Sequence, residues 1–364
     1  MDPKPDIPNY DTNHVLTNEM AALALNYTFD FWGKQRNTIQ AALGQKEAAQ
    51  WQVAQARLVL AQAIVAQYTQ WQLLDAQLAV VDKRIAVNEQ LKALLAGRIR
   101  AGLLPGSAAY NQGQALLSLQ SSQKQLQAER ERTQHSLAAL IGQPPTAVQG
   151  LNPQALGSVP VVAVNHLRAD ILGQRPDIAA QRALLQSRYF GVQAAKAEFY
   201  PNIEIKGLAG FSHIDAFDVL HSSSRLLGLM PAITLPIFTS GSLKANLAGK
   251  HAQYDEQVAM YDKTVVTALQ QAADASSDYQ HSQDALPLQQ QAWQLAQKNA
   301  DSSARRLRAG LDNGLNRLQL EDAALSAQGD YLKVASWQQQ SWNNLQAALG
   351  GGFINPQATS AQTH

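Results

Sequence analysis

From Gly33 to Arg98, and again from Gly241 to Arg306, the chain runs for about 65 residues with few helix breakers. In the first run apolar residues recur at steps of three and four, through Leu60, Ile64, Trp71, Leu74, Leu78, Val81, Ile85, Leu95 and Ile99. That period predicts a coiled-coil-like helix, roughly 100 Å long at about 1.5 Å per residue. Gln67, Asn88 and Lys92 interrupt the seam. Glycines at 102–106 and 310–314 predict a reversal, after which a returning helix of about 35 residues stops at Gly142 or Gly350. Pro287, inside the second long run, predicts a kink or break.

Ahead of the second run, residues 166–198 read as a helix ended by Tyr200-Pro201. Two strand candidates follow. Residues 203–211 alternate well, whereas 228–238 carry Pro231 and Pro236, which confine them to an edge or a bent strand. Between them lies a loop with His213, Asp215, Asp218, His221 and Ser222 to Ser224. Residues 98–103, Arg-Ile-Arg-Ala-Gly-Leu, reappear 208 positions on as Arg-Leu-Arg-Ala-Gly-Leu at 306–311, and Gly33 and Gly142 map on Gly241 and Gly350 with the same displacement. Three landmarks in one register make an internal repeat. The expected organisation is a first repeat over 1–150, a linker over 151–165, a second repeat over 166–351 and a disordered tail over 352–364.

The same displacement places a strand at 20–30, where Leu23, Leu25, Tyr27 and Phe29 share a face. It carries the leading strand and helix of the first repeat to or before Met1, so the chain is expected to be an N-terminally truncated form of a two-repeat protein. Pro3, Pro5 and Pro8 make residues 2–12 a poor substitute strand. Coding sequence for a helix and a strand just upstream would support truncation, and a promoter abutting Met1 would count against it. Met1 to Asp6 lack the basic and apolar regions of a secretory signal. Either the protein stays in the cytoplasm or this chain does not begin where its precursor begins.

Composition narrows the classes. Charged residues make up 16% and the net charge is +1, too little basic excess for a nucleic-acid binder. Without cysteine there are no disulfides, thiolate metal sites or cysteine nucleophiles. No apolar stretch approaches the roughly 18 residues of a spanning helix, but a β-barrel survives that test because its strands alternate. Nucleophile-elbow, phosphate-loop and zinc-protease motifs are absent, so no enzyme and no cofactor is expected. His213 and His221 read as a solvated loop rather than a metal site, and residues 129–132, Glu-Arg-Glu-Arg, as a solvated helix face.

The stretch Gln174-Arg175-Pro176-Asp177-Ile178, followed by residues 194–201, Ala-Ala-Lys-Ala-Glu-Phe-Tyr-Pro, and by Leu235-Pro236-Ile237-Phe238 before Gly241, resembles the outer membrane factor family, the TolC-like and NodT-like channels of Gram-negative efflux systems. The resemblance runs from Tyr27 to Gly350. It implies a mainly α fold with a membrane β-barrel: long antiparallel hairpins form a trimeric periplasmic tunnel, and three protomers share a 12-stranded barrel. At most three usable strands per protomer are legible here, and an open barrel edge in lipid leaves backbone groups unpaired. The lipid-modified cysteine of many NodT-like members has no counterpart in this sequence.

For function the resemblance implies a passive outer membrane channel of a tripartite multidrug efflux system. Its partners would be two further copies, a periplasmic adaptor (membrane fusion) protein, an inner-membrane pump and outer membrane lipid. Its place would be the outer membrane and periplasm. The alternative is a soluble coiled-coil scaffold or a non-functional truncated product. Arg98, Arg100, Gly102, Leu103, Arg306, Arg308, Gly310 and Leu311 read as helix C-termini with cations near the negative dipole end; the resemblance makes the same turns the periplasmic tip that meets the adaptor. Acidic residues stand at the family's constriction just beyond the turn. Aligned without gaps, the usual aspartate position is Gln319 and a nearby arginine position is Asp322. Asp312, Glu321 and Asp322 are the residues that can restore negative charge, with a solvated helix face the alternative for each. Aromatics at 27, 29, 31, 32, 199 and 200 read either as an interfacial girdle or as junction packing.

Overall fold

The computed structural model describes residues 19–160, 175–213 and 225–351. Its elements are β1 (Glu19–Phe29), α1 (Lys34–Arg100), α2 (Ser107–Leu140), a 3-10 turn at Pro145–Val148, α3 (Pro176–Ala197), β2 (Asn202–His213), β3 (Arg225–Thr234), α4 (Ser242–Arg308) and α5 (Gly314–Ala348). The chain divides into two compact units, one from the described parts of Met1–Lys46 and Ala183–Ala259, the other from those of Glu47–Arg182 and Met260–His364.

In the first unit the strands form an antiparallel sheet in the order β1-β2-β3. The register sets Leu23, Leu25, Tyr27 and Phe29 against Ala209, Gly207, Ile205 and Ile203, and these against Leu227, Leu229, Pro231 and Ile233. Because side chains alternate across a strand, one face of all three strands is apolar at every one of these positions. The other face carries Ala22, Ala24, Asn26 and Thr28, then Gly210, Leu208, Lys206, Glu204 and Asn202, then Gly228, Met230, Ala232 and Thr234. β3 is an edge strand, where Pro231 is tolerated, and it stops at Thr234, before Pro236; the expected continuation to 238 is not formed.

Where β1 hands over to α1, the Asp30 carboxylate accepts the backbone N–H groups of Gln35 (3.0 Å) and Arg36 (2.9 Å). Trp32 stacks on Tyr200 at 4.7 Å and donates Nε1–H to the Pro201 carbonyl, while Lys34 and Asn246 both engage Glu198. α1 crosses α3 at Gly44, where an added Cβ would stand 3.0 Å from the Ser187 Cβ and 3.1 Å from the Ala183 carbonyl oxygen. The Ser187 hydroxyl donates to the Ala41 carbonyl across the same crossing. Gly44→Val is therefore expected to destabilise by about 1–3 kcal/mol through overpacking. Gly97→Ala, at an open helical position, should stabilise by up to about 1 kcal/mol. Thermal unfolding of the two variants in detergent checks both signs.

In the second unit small apolar clusters hold the helices together: Val87, Leu91 and Leu318; Ala275, Tyr279, Leu345 and Ala348; Ile178, Ala268 and Ala272. Residues 149–160 are tied to them through their backbone. Gln72 donates to the Gln154 and Ala155 carbonyls, Gln339 to Gly157 and Tyr279 to Pro160, while the Gln154 N–H donates to the Tyr68 hydroxyl. Arg175, buried, donates to Asp177, to Gln271 and to the Ala348 carbonyl at the end of α5. That explains why Arg175 and Asp177 stand together in the sequence.

Of the kink or break predicted at Pro287, the break does not occur: α4 is continuous from Ser242 to Arg308 with Pro287 inside it; the lost hydrogen bond costs on the order of 3 kcal/mol, which the turns on either side offset. Asn88, the polar interruption of the apolar seam, is buried and bonded to another helix. The helix expected over 166–198 is observed from Pro176 to Ala197, and 166–174 lie outside the described residues. So do residues 1–18, Asp215, Asp218, His221 to Ser224 and the tail from 352.

Candidate functional site

Both Arg-Ala-Gly-Leu turns fold alike. Gly102 and Gly310 each adopt φ of 71°, in the left-handed region that glycine enters without a Cβ clash. The Leu103 N–H donates to the Arg98 carbonyl and the Gly102 N–H to Ile99; likewise Leu311 donates to Arg306 and Gly310 to Leu307. These paired bonds close the otherwise unsatisfied carbonyls of a helix end. Arg100 and Arg308 donate to carbonyls one turn back, at Ala96 and Ala304, and Arg306 donates to the Leu311 carbonyl. Arg98 lies half-buried on the last turn of α1. Leu103 and Leu311 are left exposed, at 72% and 69%.

Beyond the turns the two hairpins differ. α2 starts at Gly106 with no side-chain cap. α5 starts at Asn313, whose Oδ1 accepts the Asn316 N–H at 2.9 Å. Asp312 accepts from the Ser303 hydroxyl (2.7 Å), the Asn313 N–H (2.7 Å) and the Asn316 amide. These hydrogen bonds, Ser303 first, hold the Asp312 carboxyl below the usual aspartate range. At Asp30 desolvation pushes up, but the Arg36 and Gln35 N–H bonds and the Arg36 charge win and the net shift is downward.

Both groups have folded-state affinities for protons below their unfolded ones, so both stabilise the fold above about pH 4 and lose that contribution as pH falls through the ordinary aspartate range towards the lowered value. Asp30→Asn and Asp312→Asn are each expected to flatten the dependence of melting temperature on pH below about pH 4. Melting curves from pH 6 down to pH 3 read this directly, and a slope equal to the wild type's would refute it.

Among the remaining constriction candidates, Asp322 is joined to α1. Arg84 grips it with two bonds, Nε to Oδ1 at 2.9 Å and Nη2 to Oδ2 at 3.1 Å, and the Asn88 amide adds a third at 2.9 Å. Gln112 on α2 donates to the side-chain and backbone oxygens of Asn88. One polar chain thus runs from α5 through α1 to α2. Glu321, its sequence neighbour, turns to Arg317 instead, at 2.6 Å within α5, and lines a cavity of about 430 Å³ with Lys83, Trp293, Asp301 and Arg317. Gln319 is exposed. The structure therefore does not gather Asp312, Gln319, Glu321 and Asp322 into one cluster; each belongs to a different local set. Arg84, Gln112, Ser303 and Asn316 were not singled out in the sequence, and the polar break in the seam at Asn88 was the one local sign of the network. Among the described residues no group of His, Asp and Glu suits a metal ion, and no helix is long and apolar enough to cross a membrane.

The sequence profile of the outer membrane efflux proteins matches residues 9–143 and 167–351. The chain belongs to the outer membrane efflux protein family. Over 340 residues it is 25% identical to the multidrug resistance outer membrane protein MdtP of Escherichia coli K12, spanning 93% of this chain and 69% of MdtP. It is 26% identical to OprJ of Pseudomonas aeruginosa over 96% of this chain and 73% of OprJ. The crystal structure of the outer membrane protein VceC of Vibrio cholerae superposes with a TM-score of 0.81, at 27% identity over 96% of this chain and 85% of VceC. The efflux-protein fold is thus mainly α, long hairpins joined to membrane strands, and its setting is the outer membrane and periplasm of a Gram-negative cell. These relatives support the channel and not the soluble scaffold.

Proposed function

We infer that this chain is one of three identical subunits of the outer membrane channel in a tripartite multidrug efflux system, through which small molecules pass to the exterior without chemical change. The observation that carries this reading is the sheet. Its twelve in-register apolar positions meet lipid, and its opposite face, small and polar apart from Leu208 and Met230, lines water. Eleven strand residues at about 3.4 Å each, tilted as barrel strands are, cross a band of about 25 Å. The turns at 98–103 and 306–311 meet a periplasmic adaptor protein, with Leu103 and Leu311 as the apolar contacts, and an inner-membrane pump supplies the energy. Asp312, Gln319, Glu321 and Asp322 stand at the constriction. In the chain's organisation 1–150 and 166–351 act as two repeats, joined by the linker over 151–165 and followed by a tail.

The test is accumulation of a fluorescent amphipathic dye in host cells with and without the gene, together with the native mass of the protein solubilised from outer membranes. The channel reading expects more retained dye without the gene and a mass of three copies. Equal retention with a monomeric, soluble protein would overturn it.

A further inference from the structure

On the small and polar face of the sheet, at 22–28, 202–210 and 228–234, only two described residues are charged, Glu204 and Lys206. Both stand on β2, the central strand, two positions apart and hence on one face. They are not equivalent. Glu204 accepts a hydrogen bond from the Asn202 amide and its side chain is 21% exposed; the Lys206 ammonium stands 3.6 Å from Glu204 and its side chain is 54% exposed. Across the strands Lys206 faces Asn26 and Met230, neither of which offers a counter-charge. Glu204 and Lys206 thus form an ion pair in which one carboxylate oxygen is also held by Asn202 and the ammonium is the more exposed partner.

The geometry points to Lys206 as the residue that sets the electrostatic preference of the barrel lumen, a ring of three ammonium groups, each standing further into water than its Glu204 partner, that draws anionic solutes and the acidic parts of amphipathic ones. This inference rests on the channel reading of the sheet. A water-filled passage with low-dielectric walls focuses the field of fixed charges on its lining. Lys206 is therefore a specificity-determining residue for what passes the barrel, acting at a level of the molecule far in sequence from the acidic residues after the 306–311 turn.

Because the chain has no cysteine, a single introduced thiol reads the local potential at a chosen point. Asn26→Cys places it directly across from Lys206, where cross-strand Cβ atoms are about 5 Å apart. In intact outer membranes at low salt, the ratio of its labelling rates with an anionic and a cationic methanethiosulfonate should favour the anionic reagent. Adding Lys206→Glu should lower that ratio by about tenfold or more, and Lys206→Gln should fall between. A labelled Asn26→Cys whose ratio ignores the residue at 206 overturns the inference while leaving the channel reading intact. An unlabelled Asn26→Cys beside a readily labelled Leu25→Cys, on the opposite face, overturns the channel reading and the inference with it.

Discussion

Replacing Leu229 by Arg is expected to keep the protein out of the outer membrane. Leu229 lies on the apolar face of β3, in register with Gly207 and, through it, with Leu25. Gly207 leaves room there that the Leu25 and Leu229 side chains close over from either side. The leucine is 72% exposed in the single chain, which is costly in water and favourable in lipid. A guanidinium at that depth costs about 2–4 kcal/mol near the bilayer midplane, and a trimer carries it three times. Asn26→Arg is the control: it sits on the opposite face, beside Lys206, where water solvates it. The heat-resistant trimer recovered from outer membranes should be lost for Leu229→Arg and retained for Asn26→Arg. Equal recovery of the two would show that the sheet does not meet lipid by its apolar face.

Asp322→Ala should loosen the link between α5 and α1 by about 2 kcal/mol per copy. Three donors lose their acceptor at once, and the Arg84 charge, only a quarter exposed, is left without a partner. Arg84→Ala should cost a similar amount and the double variant less than the sum, since a shared pair is removed only once. Glu321→Gln breaks a pair confined to one helix and should cost only about 0.3–0.5 kcal/mol. Denaturant unfolding of the four variants gives the coupling. Under the channel reading, Asp322→Ala also raises the resting conductance of the purified channel in planar bilayers, whereas Glu321→Gln leaves it near the wild-type level. Additive losses for Arg84 and Asp322 would mean that the two do not act as a pair.

Legibility differed by element, for physical reasons. The turns at Gly102 and Gly310 could be read because a helix end needs a residue that tolerates positive φ and cations suit its last turn; both signals lie within about one turn of the break. The strand at 203–211 could be read because its residue types alternate as its side chains alternate between the two faces of the sheet. β3 was placed three residues too late at its start and four too far at its end, since Pro231 in an edge strand disturbs the alternation without preventing pairing. Pro287 does not end α4, because one missing donor is outweighed by the many bonds that hold a 67-residue helix on either side of it. The candidates at 312, 319, 321 and 322 were chosen by position, and position did not reveal that Asp312 braces a turn, Glu321 serves its own helix and Asp322 reaches α1.

Sequence by itself determined what is periodic and local: two long helical runs, their glycine-ended returns, alternating strands at 20–30 and 203–211, and a family resemblance that the match over 9–143 and 167–351 bears out. The tertiary structure alone decided which polar side chains have partners. Asp322 meets Arg84 and Asn88 across 238 and 234 residues of chain, and Lys206 meets Asn26 only through the register of β1 on β2. A helical or strand period records which side of an element is buried, because burial repeats with the element's own geometry. It carries no record of what stands opposite, because that is set by how distant segments pack.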